Sequence, residues 1–531
     1  MKKSLIMAVA LAIPALASAQ SAMDAYDFSQ TDLRGTARFL SMGGAFTALG
    51  GDLSSLNQNP AGIGLYRRSE IGATLEISPA KITSDTHSNS ISKSNTYVYC
   101  NNFGYVGSVH LDGAMPTFSW GVSYNRIASF DRDYNVYNAS SPSSLTDYIA
   151  AFTNGAKADR LNFGSGYNPY YDSNEDWLSI LAYNSCMINP VAGSSDTYQG
   201  LSGSNTVGDA LTRVHERGYV DEYAIDFGGN IENCVYWGLG FGITDFSLNQ
   251  HVEYSESMEN AKIYNGENIV TGDAGFELTN RRVVTGTGLN LKLGLILKPV
   301  QEFRLGIAVH TPTWYDMKQS ANAEVDYSYF DPNQVEGRNN PYRGNEYTEE
   351  SFYDFRLRTP WKLMVGAACV IGSQAIVSFD YERQAYDNMN LKYEDSWDSW
   401  VDNEWANEHI SNYFKATNIV RVGAEFRVTP NVSLRAGYAY SATNVKEEVE
   451  NGSMEVLTAG TNAAYTLNKD TNQISCGIGY RYQAFYIDGA YVYRNRKSTY
   501  HAYTNFDGVS APQADLTEIN HSVVLSLGFK F

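Results

Sequence analysis

Leu289, Leu291, Leu293, Leu295 and Leu297 fall on one parity of a short run, with Asn290, Lys292 and Gly294 on the other. A period of two sends alternate side chains to opposite faces, so this run reads as a strand with one wholly apolar face. The pattern recurs along the chain. It is present in Ile71, Ala73, Leu75 and Ile77; in Trp120, Val122 and Tyr124; and in Trp237, Leu239, Phe241 and Ile243. It returns in Trp361, Leu363 and Val365, in Val420, Val422 and Phe426, and at the C-terminus in Val523, Leu525, Leu527, Phe529 and Phe531. One such strand fits a soluble sandwich. About fourteen, each near the ~9–11 residues that cross a bilayer when tilted, predict a transmembrane antiparallel β-barrel. Hydrocarbon offers no partner for backbone N–H or C=O, so such a sheet has to close on itself.

The connections alternate in length. Short ones carry turn chemistry, such as Asp112-Gly113, Glu232-Asn233, Lys298-Pro299 and Thr429-Pro430-Asn431. Long ones are expected over residues 79–101, 127–221, 246–282, 312–359, 383–417, 442–473 and 495–521. In barrels of this class short turns face the periplasm and long loops face outward. That phase puts the C-terminus in the periplasm and the protein in a Gram-negative outer membrane. Glycine tolerates a break in a strand, and Gly121 is the expected position of a kink in the third strand.

The N-terminus reads as an export signal over residues 1–19: Lys2 and Lys3, a short apolar run, then Ala17-Ser18-Ala19. No later run is long or apolar enough for a spanning helix, and mean hydropathy is −0.33. The 39 tyrosines and 45 glycines suit strands and turns. Removing Lys2 and Lys3 leaves 37 basic residues against 58 acidic, near −21. That balance excludes nucleic acid as a partner. Five dispersed cysteines make no disulfide framework and no metal spacing.

Residues 20–69 are not strand-like. Asp52 reads as the N-cap of a short helix running to about Gln58, stopped by Asn59-Pro60. A barrel of this strand number is wider than side chains alone can fill. A compact piece joined directly to the first strand is expected to fold into the lumen as a small helical plug. The domain order is therefore signal 1–19, plug 20–69, and barrel with long extracellular loops 70–531.

The stretch Arg38, Met42, Gly43, Gly44 and Ala45, followed by Asn59, Pro60 and Ala61, resembles the N-terminal motif of FadL-type outer-membrane long-chain fatty acid transporters, most closely those of Bacteroides-type bacteria. The motif likeness is confined to residues 34–66; the architectural likeness covers the mature chain. The resemblance implies that these eight residues belong to a hatch inside the barrel. It also implies passive uptake of hydrophobic molecules, long-chain fatty acids or similar: capture at the loops, a lumenal pocket near the hatch, and sideways exit through the wall. Outer-membrane lipid and a hydrophobic small molecule are then the partners. A second reading is a FadL-like barrel serving as a structural component of a secretion or surface-attachment system, with the large loops binding protein partners.

Loop 383–417 carries Trp397, Trp400 and Trp405 among Asp395, Asp398, Asp402 and Glu404. Such a cluster is either a capture platform for apolar ligand or packing that stiffens the loop. Asp172, Asn174 and Asp176 have alternate oxygen spacing but lack the glycine and closing Glu of a calcium loop. No histidine pair and no G-x-S-x-G motif is present. No catalytic residue, metal site or cofactor is expected, and the chain does not read as an enzyme.

Overall fold

The computed structural model describes residues 20–264, 269–330, 343–372, 374–396, 399–506 and 510–531. The export signal and Trp397 lie outside the described residues.

Fourteen antiparallel strands close into a barrel. In chain order they are β1 (Glu70–Asp85), β2 (Ser90–His110), β3 (Thr117–Ser129), β4 (Val207–Ile231), β5 (Val235–Tyr264), β6 (Ile269–Leu297) and β7 (Phe303–His310). Then come β8 (Lys362–Ile371), β9 (Ala375–Gln384), β10 (Thr417–Arg427), β11 (Val432–Ser441), β12 (Tyr465–Tyr482), β13 (Phe485–His501) and β14 (Gln513–Lys530). Each pairs with its neighbours, and β14 returns to β1 through Ile71↔Phe529, Leu75↔Leu525 and Ile77↔Val523. The outward parity is the apolar one read from sequence: Leu289, Leu293, Ile243, Leu75 and Val523 are all exposed on the outer face. Glu232 and Asn233 both take left-handed backbone, the geometry a two-residue hairpin turn demands.

Four of the expected long loops, 79–101, 246–282, 312–359 and 495–521, are largely strand among the described residues. β5 has 30 residues; at ~3.3 Å each it runs roughly 100 Å, against a ~30 Å hydrocarbon core. Within 246–282 all described residues are strand, and β1 and β2 fill most of 79–101. The apolar outward face ends where lipid ends, but the hydrogen-bond ladder continues, because the water-exposed hairpins still satisfy their backbone groups in pairs. Region 312–359 likewise holds Trp314–Tyr329 paired with Ser351–Arg358. These prolong β7 and β8 beyond two side-by-side breaks at Pro312 and Pro360, which cannot donate to a ladder. Gly121 sits in regular register with Val106 and Asp226. The irregularity in β3 lies further on, between Arg126 and Ala128.

The tall end is filled. Helices Leu145–Thr153 and Trp177–Asn184 pack Ile149, Ile180 and Leu181 against the inner faces of the long hairpins, at Val252, Phe276 and Val325. The short end holds most of the N-terminal segment: α2 (Ala37–Ser41), α3 (Leu53–Gln58) and a 3₁₀ turn (Pro60–Leu65), while α1 (Ala22–Phe28) lies further up, packed on Phe246, Phe355 and Phe414.

Candidate functional site

The N-terminal segment is built from caps. Thr36 caps α2 by accepting from Phe39 N (3.1 Å) and donates to Asp52 Oδ1 (2.7 Å). Asp52 caps α3, accepting from Ser54 N at 3.0 Å. Asn59 ends α3 and caps the 3₁₀ turn through Ala61 N (3.0 Å). Its Nδ2 donates to Thr47 O (2.6 Å), so one side chain ties two turns of the segment together.

The segment lies directly on the inner wall because the wall is glycine where they meet. A Cβ on Gly238 would collide with Pro60, on Gly294 with Asn59, on Gly306 with Thr47, and on Gly437 with Met42 and Gly43. These glycines stand on β5, β6, β7 and β11 and share the inward parity. Gly43 and Gly44 have positive φ (63° and 72°), a conformation open to glycine at no steric cost. They turn the chain back after α2, with Gly44 N donating to Phe39 O (3.0 Å) and Ala45 N to Met42 O (3.2 Å). Arg38 pairs with Glu425 (3.0 Å), which pairs with Arg435 (2.7 Å), which pairs with Asp488 (2.6 Å). Six of the eight motif residues, Arg38, Met42, Gly43, Asn59, Pro60 and Ala61, thus lie against the wall, and Gly44 and Ala45 continue the turn beside them.

Between α1 and the remainder of the segment lies a chamber of about 240 Å³. One shoulder is apolar: Phe28, Val220, Tyr315 and Tyr386. These belong to an apolar cluster that continues through Tyr26 and Phe414 to Ile410, with Trp405 packed on it. The opposite wall is charged. Arg421 Nη2 donates to Glu382 (2.6 Å), while its Nε and Nη1 have no partner among the described residues. Gln473 Nε2 is buried without a partner there too, and Lys362 Nζ reaches Thr31 Oγ1 at 3.4 Å. Lys292 is paired to Glu222 and Asn57. A buried polar atom left unpaired costs about 1–3 kcal/mol, more when charged; Gln58 Oε1 and Asn290 Oδ1 on the same lining also lack a partner among the described residues, so the chamber offers charged donors together with neutral acceptors. The chamber is amphipathic, with spare donors on its polar side.

The barrel wall beside the chamber has a seam. The β2–β3 ladder runs only from Asn102↔Asn125 to His110↔Thr117. Beyond it, β2 pairs with β1 alone and β3 with β4 alone among the described residues. Side chains bridge the gap higher up: Lys93 to Asp133 (2.5 Å) and Asn95 to Asp133 (3.2 Å). A bulge flanks the seam on each lip, at Asn101 in β2 and at Ile127 in β3. Val98, exposed and apolar on the outer face, stands beside it.

The described tryptophans of loop 383–417 are held apart. Trp400 is on a short strand (Ser399–Asp402) with the Arg356 guanidinium 4.2 Å over its ring. Trp405 is on a helix (Glu404–Tyr413), 5.0 Å from the His409 ring and half-buried on the apolar cluster. Asp176 caps the helix Trp177–Asn184 through Leu178 N (2.9 Å), and Asp172 accepts from Asn168 N (2.7 Å).

No family model and no curated protein matches the chain. Among solved structures, a FadL homologue of Pseudomonas aeruginosa aligns with TM-score 0.54 and 13% identity, over 94% of this chain and 99% of the other. The toluene transporter TodX of Pseudomonas putida aligns with TM-score 0.52 and 14% identity, over 94% and 99%. At these identities the likeness is one of fold. The fold is FadL-type along nearly the whole described chain, which extends the resemblance first carried by residues 34–66.

Proposed function

We propose that this barrel is an outer-membrane channel for passive uptake of hydrophobic molecules, with long-chain fatty acids or similar amphiphiles as its cargo. One observation carries the reading: an amphipathic chamber abuts a wall seam that lacks a ladder, while both barrel ends are filled. Cargo entering such a chamber leaves more readily sideways than along the axis. Each CH₂ buried on the apolar shoulder contributes about 0.8 kcal/mol. The spare donors of Arg421 and Gln473 suit a headgroup carboxylate better than a neutral arene. TodX, of the same fold, is a toluene transporter, which supports hydrophobic cargo in general.

In this reading the apolar cluster beneath Trp405 leads captured molecules from the loops to Phe28 at the chamber. Residues 20–69 act as the hatch, the tall hairpins face outward and the C-terminus faces the periplasm. The test is saturable binding of a fluorescent fatty acid to the purified barrel, with uptake compared between wild-type and deletion cells. Absence of saturable binding together with unchanged uptake would overturn the proposal.

A further inference from the structure

Residues 31–36 belong to no helix and no ladder, yet Asp32 and Arg34 are deeply buried, with side-chain exposures of 5% and 7%. They span the seam. On the β3 lip, Asp32 N donates to Ile127 O (3.0 Å), the carbonyl of the bulge residue, and Ser129 N donates to Asp32 Oδ2 (3.3 Å). On the β2 lip, Arg34 Nη1 donates to Asn101 Oδ1 (3.4 Å), the other bulge residue, and it also pairs with Glu76 on the adjoining β1 (3.5 Å). The Arg34 guanidinium also lies 4.3 Å over the Tyr99 ring of β2. Two bulges that loosen the wall are therefore joined by one strap from the N-terminal segment.

The strap is held by its carboxylate. Asp32 Oδ1 accepts from Arg494 Nη1 (2.7 Å) and Arg496 Nη2 (2.6 Å), both on β13. Burial alone would push this carboxyl up, but Arg494, Arg496 and Arg34 outweigh it and hold it well below the usual range. Arg494 has a second partner in Glu518 (3.3 Å), whereas Asp32 is the only carboxylate paired with Arg496 among the described residues. Withdrawing Asp32 would strip Arg496 of its one ion pair among the described residues and leave it only the longer-range attraction of Glu518, which is unfavourable for a largely buried cation. Replacing it with another carboxylate would not. Asp32, Arg494 and Arg496 all line the chamber, so a bound amphiphile can reach them.

We propose that Asp32 is an internal stand-in for the cargo headgroup: an incoming carboxylate takes its place on Arg494 and Arg496, and the freed strap releases the bulges at Asn101 and Ile127 and unlocks the seam. This rests on the uptake reading and adds a selectivity to it, since only an anionic amphiphile can make the exchange. A neutral molecule of the same length fills the apolar shoulder and leaves the strap in place.

The test uses the full barrel in detergent with decanoate and decanol as probes. Amide hydrogen exchange at Asp32 and over 99–101 is expected to speed up at least tenfold with saturating decanoate and to stay unchanged with decanol. In Asp32→Asn, the affinity ratio of decanoate over decanol is expected to rise about tenfold, because the internal competitor is gone. If both probes bind while Asp32 stays equally protected, the exchange is wrong and the uptake reading stands. If the ratio is unchanged or falls in Asp32→Asn, the exchange is likewise wrong. The wild-type exchange measurement decides the matter even if the variant does not fold. If neither probe binds the wild-type barrel, the uptake reading fails and takes this proposal with it.

Discussion

Asn59 Oδ1 occupies the space that a side chain on Gly294 would need. The N-terminal segment and the wall are thus fitted to each other at single-atom clearance. Gly294→Ala should displace Asn59 and with it the hydrogen bonds to Thr47 O and Ala61 N, at about 1 kcal/mol each. The segment should loosen and ion conductance in planar bilayers should rise at least several-fold. Gly489→Ala, with nothing within 4 Å of the added carbon, is the matched control and should stay silent.

The Arg38–Glu425–Arg435–Asp488 chain joins the segment to β10, β11 and β13 with little exposure; the Arg435 side chain is 1% exposed. Glu425→Gln leaves both arginines without their shared carboxylate, and breaking one partner of a buried pair costs roughly 3–5 kcal/mol. Urea unfolding should register a loss of that order. Adding Arg38→Met should recover part of it.

Acidity should tighten the cap. Glu256 accepts from Leu145 N (2.7 Å) and Ser144 Oγ (2.6 Å) at the start of the helix Leu145–Thr153. Burial pushes its carboxyl up to about 7, from an ordinary 4.5. The folded form then holds a proton that the unfolded form has lost between those values. Stability therefore falls as pH rises from about 4.5 to 7, and the penalty is complete above 7. Intrinsic-rate-corrected exchange protection in this helix should be greater at pH 5 than at pH 8. Glu256→Gln should flatten the difference.

Arg421→Gln removes the cation with two spare donors facing the chamber. Binding of a fatty carboxylate should weaken by about ten- to a hundredfold, since a charge-assisted hydrogen bond contributes roughly 1.5–3 kcal/mol. Binding of the corresponding alcohol should change far less. Isothermal titration with the two ligands in parallel measures the contrast; equal losses would mean the guanidinium supports the wall rather than the headgroup.

Strand parity was legible because lipid imposes it: Leu289 through Leu297 face outward as their spacing requires. Strand length was not, since β5 continues from Ile243 to Tyr264 with no lipid to mark its outer face. The Asp52 cap and the Asn59-Pro60 stop were local and readable. The glycines beneath the segment were missed, although Gly238, Gly294, Gly306 and Gly437 share the inward parity of their strands, which is a usable signal. A kink in the third strand is expected at Gly121 because glycine tolerates a break, but the bulge of that strand falls at Ile127, and the position of the seam has no local signal in the sequence. Asp32 meets Arg494 and Arg496 only because closure brings the two ends of the chain together, and no local pattern encodes that.

Closure also bears on assembly. The β14–β1 ladder joins elements separated by nearly the full chain, so it carries the largest loop-closure entropy cost of the barrel's pairings. The N-terminal segment is attached to β1 and touches β14 directly, with Ala37 N donating to Ser526 Oγ (2.7 Å). A segment seated on the bare backbone of Gly238, Gly294, Gly306 and Gly437 and bonded to β14 is held by widely separated strands at once, so it acts as a former that fixes the curvature of the wall around it.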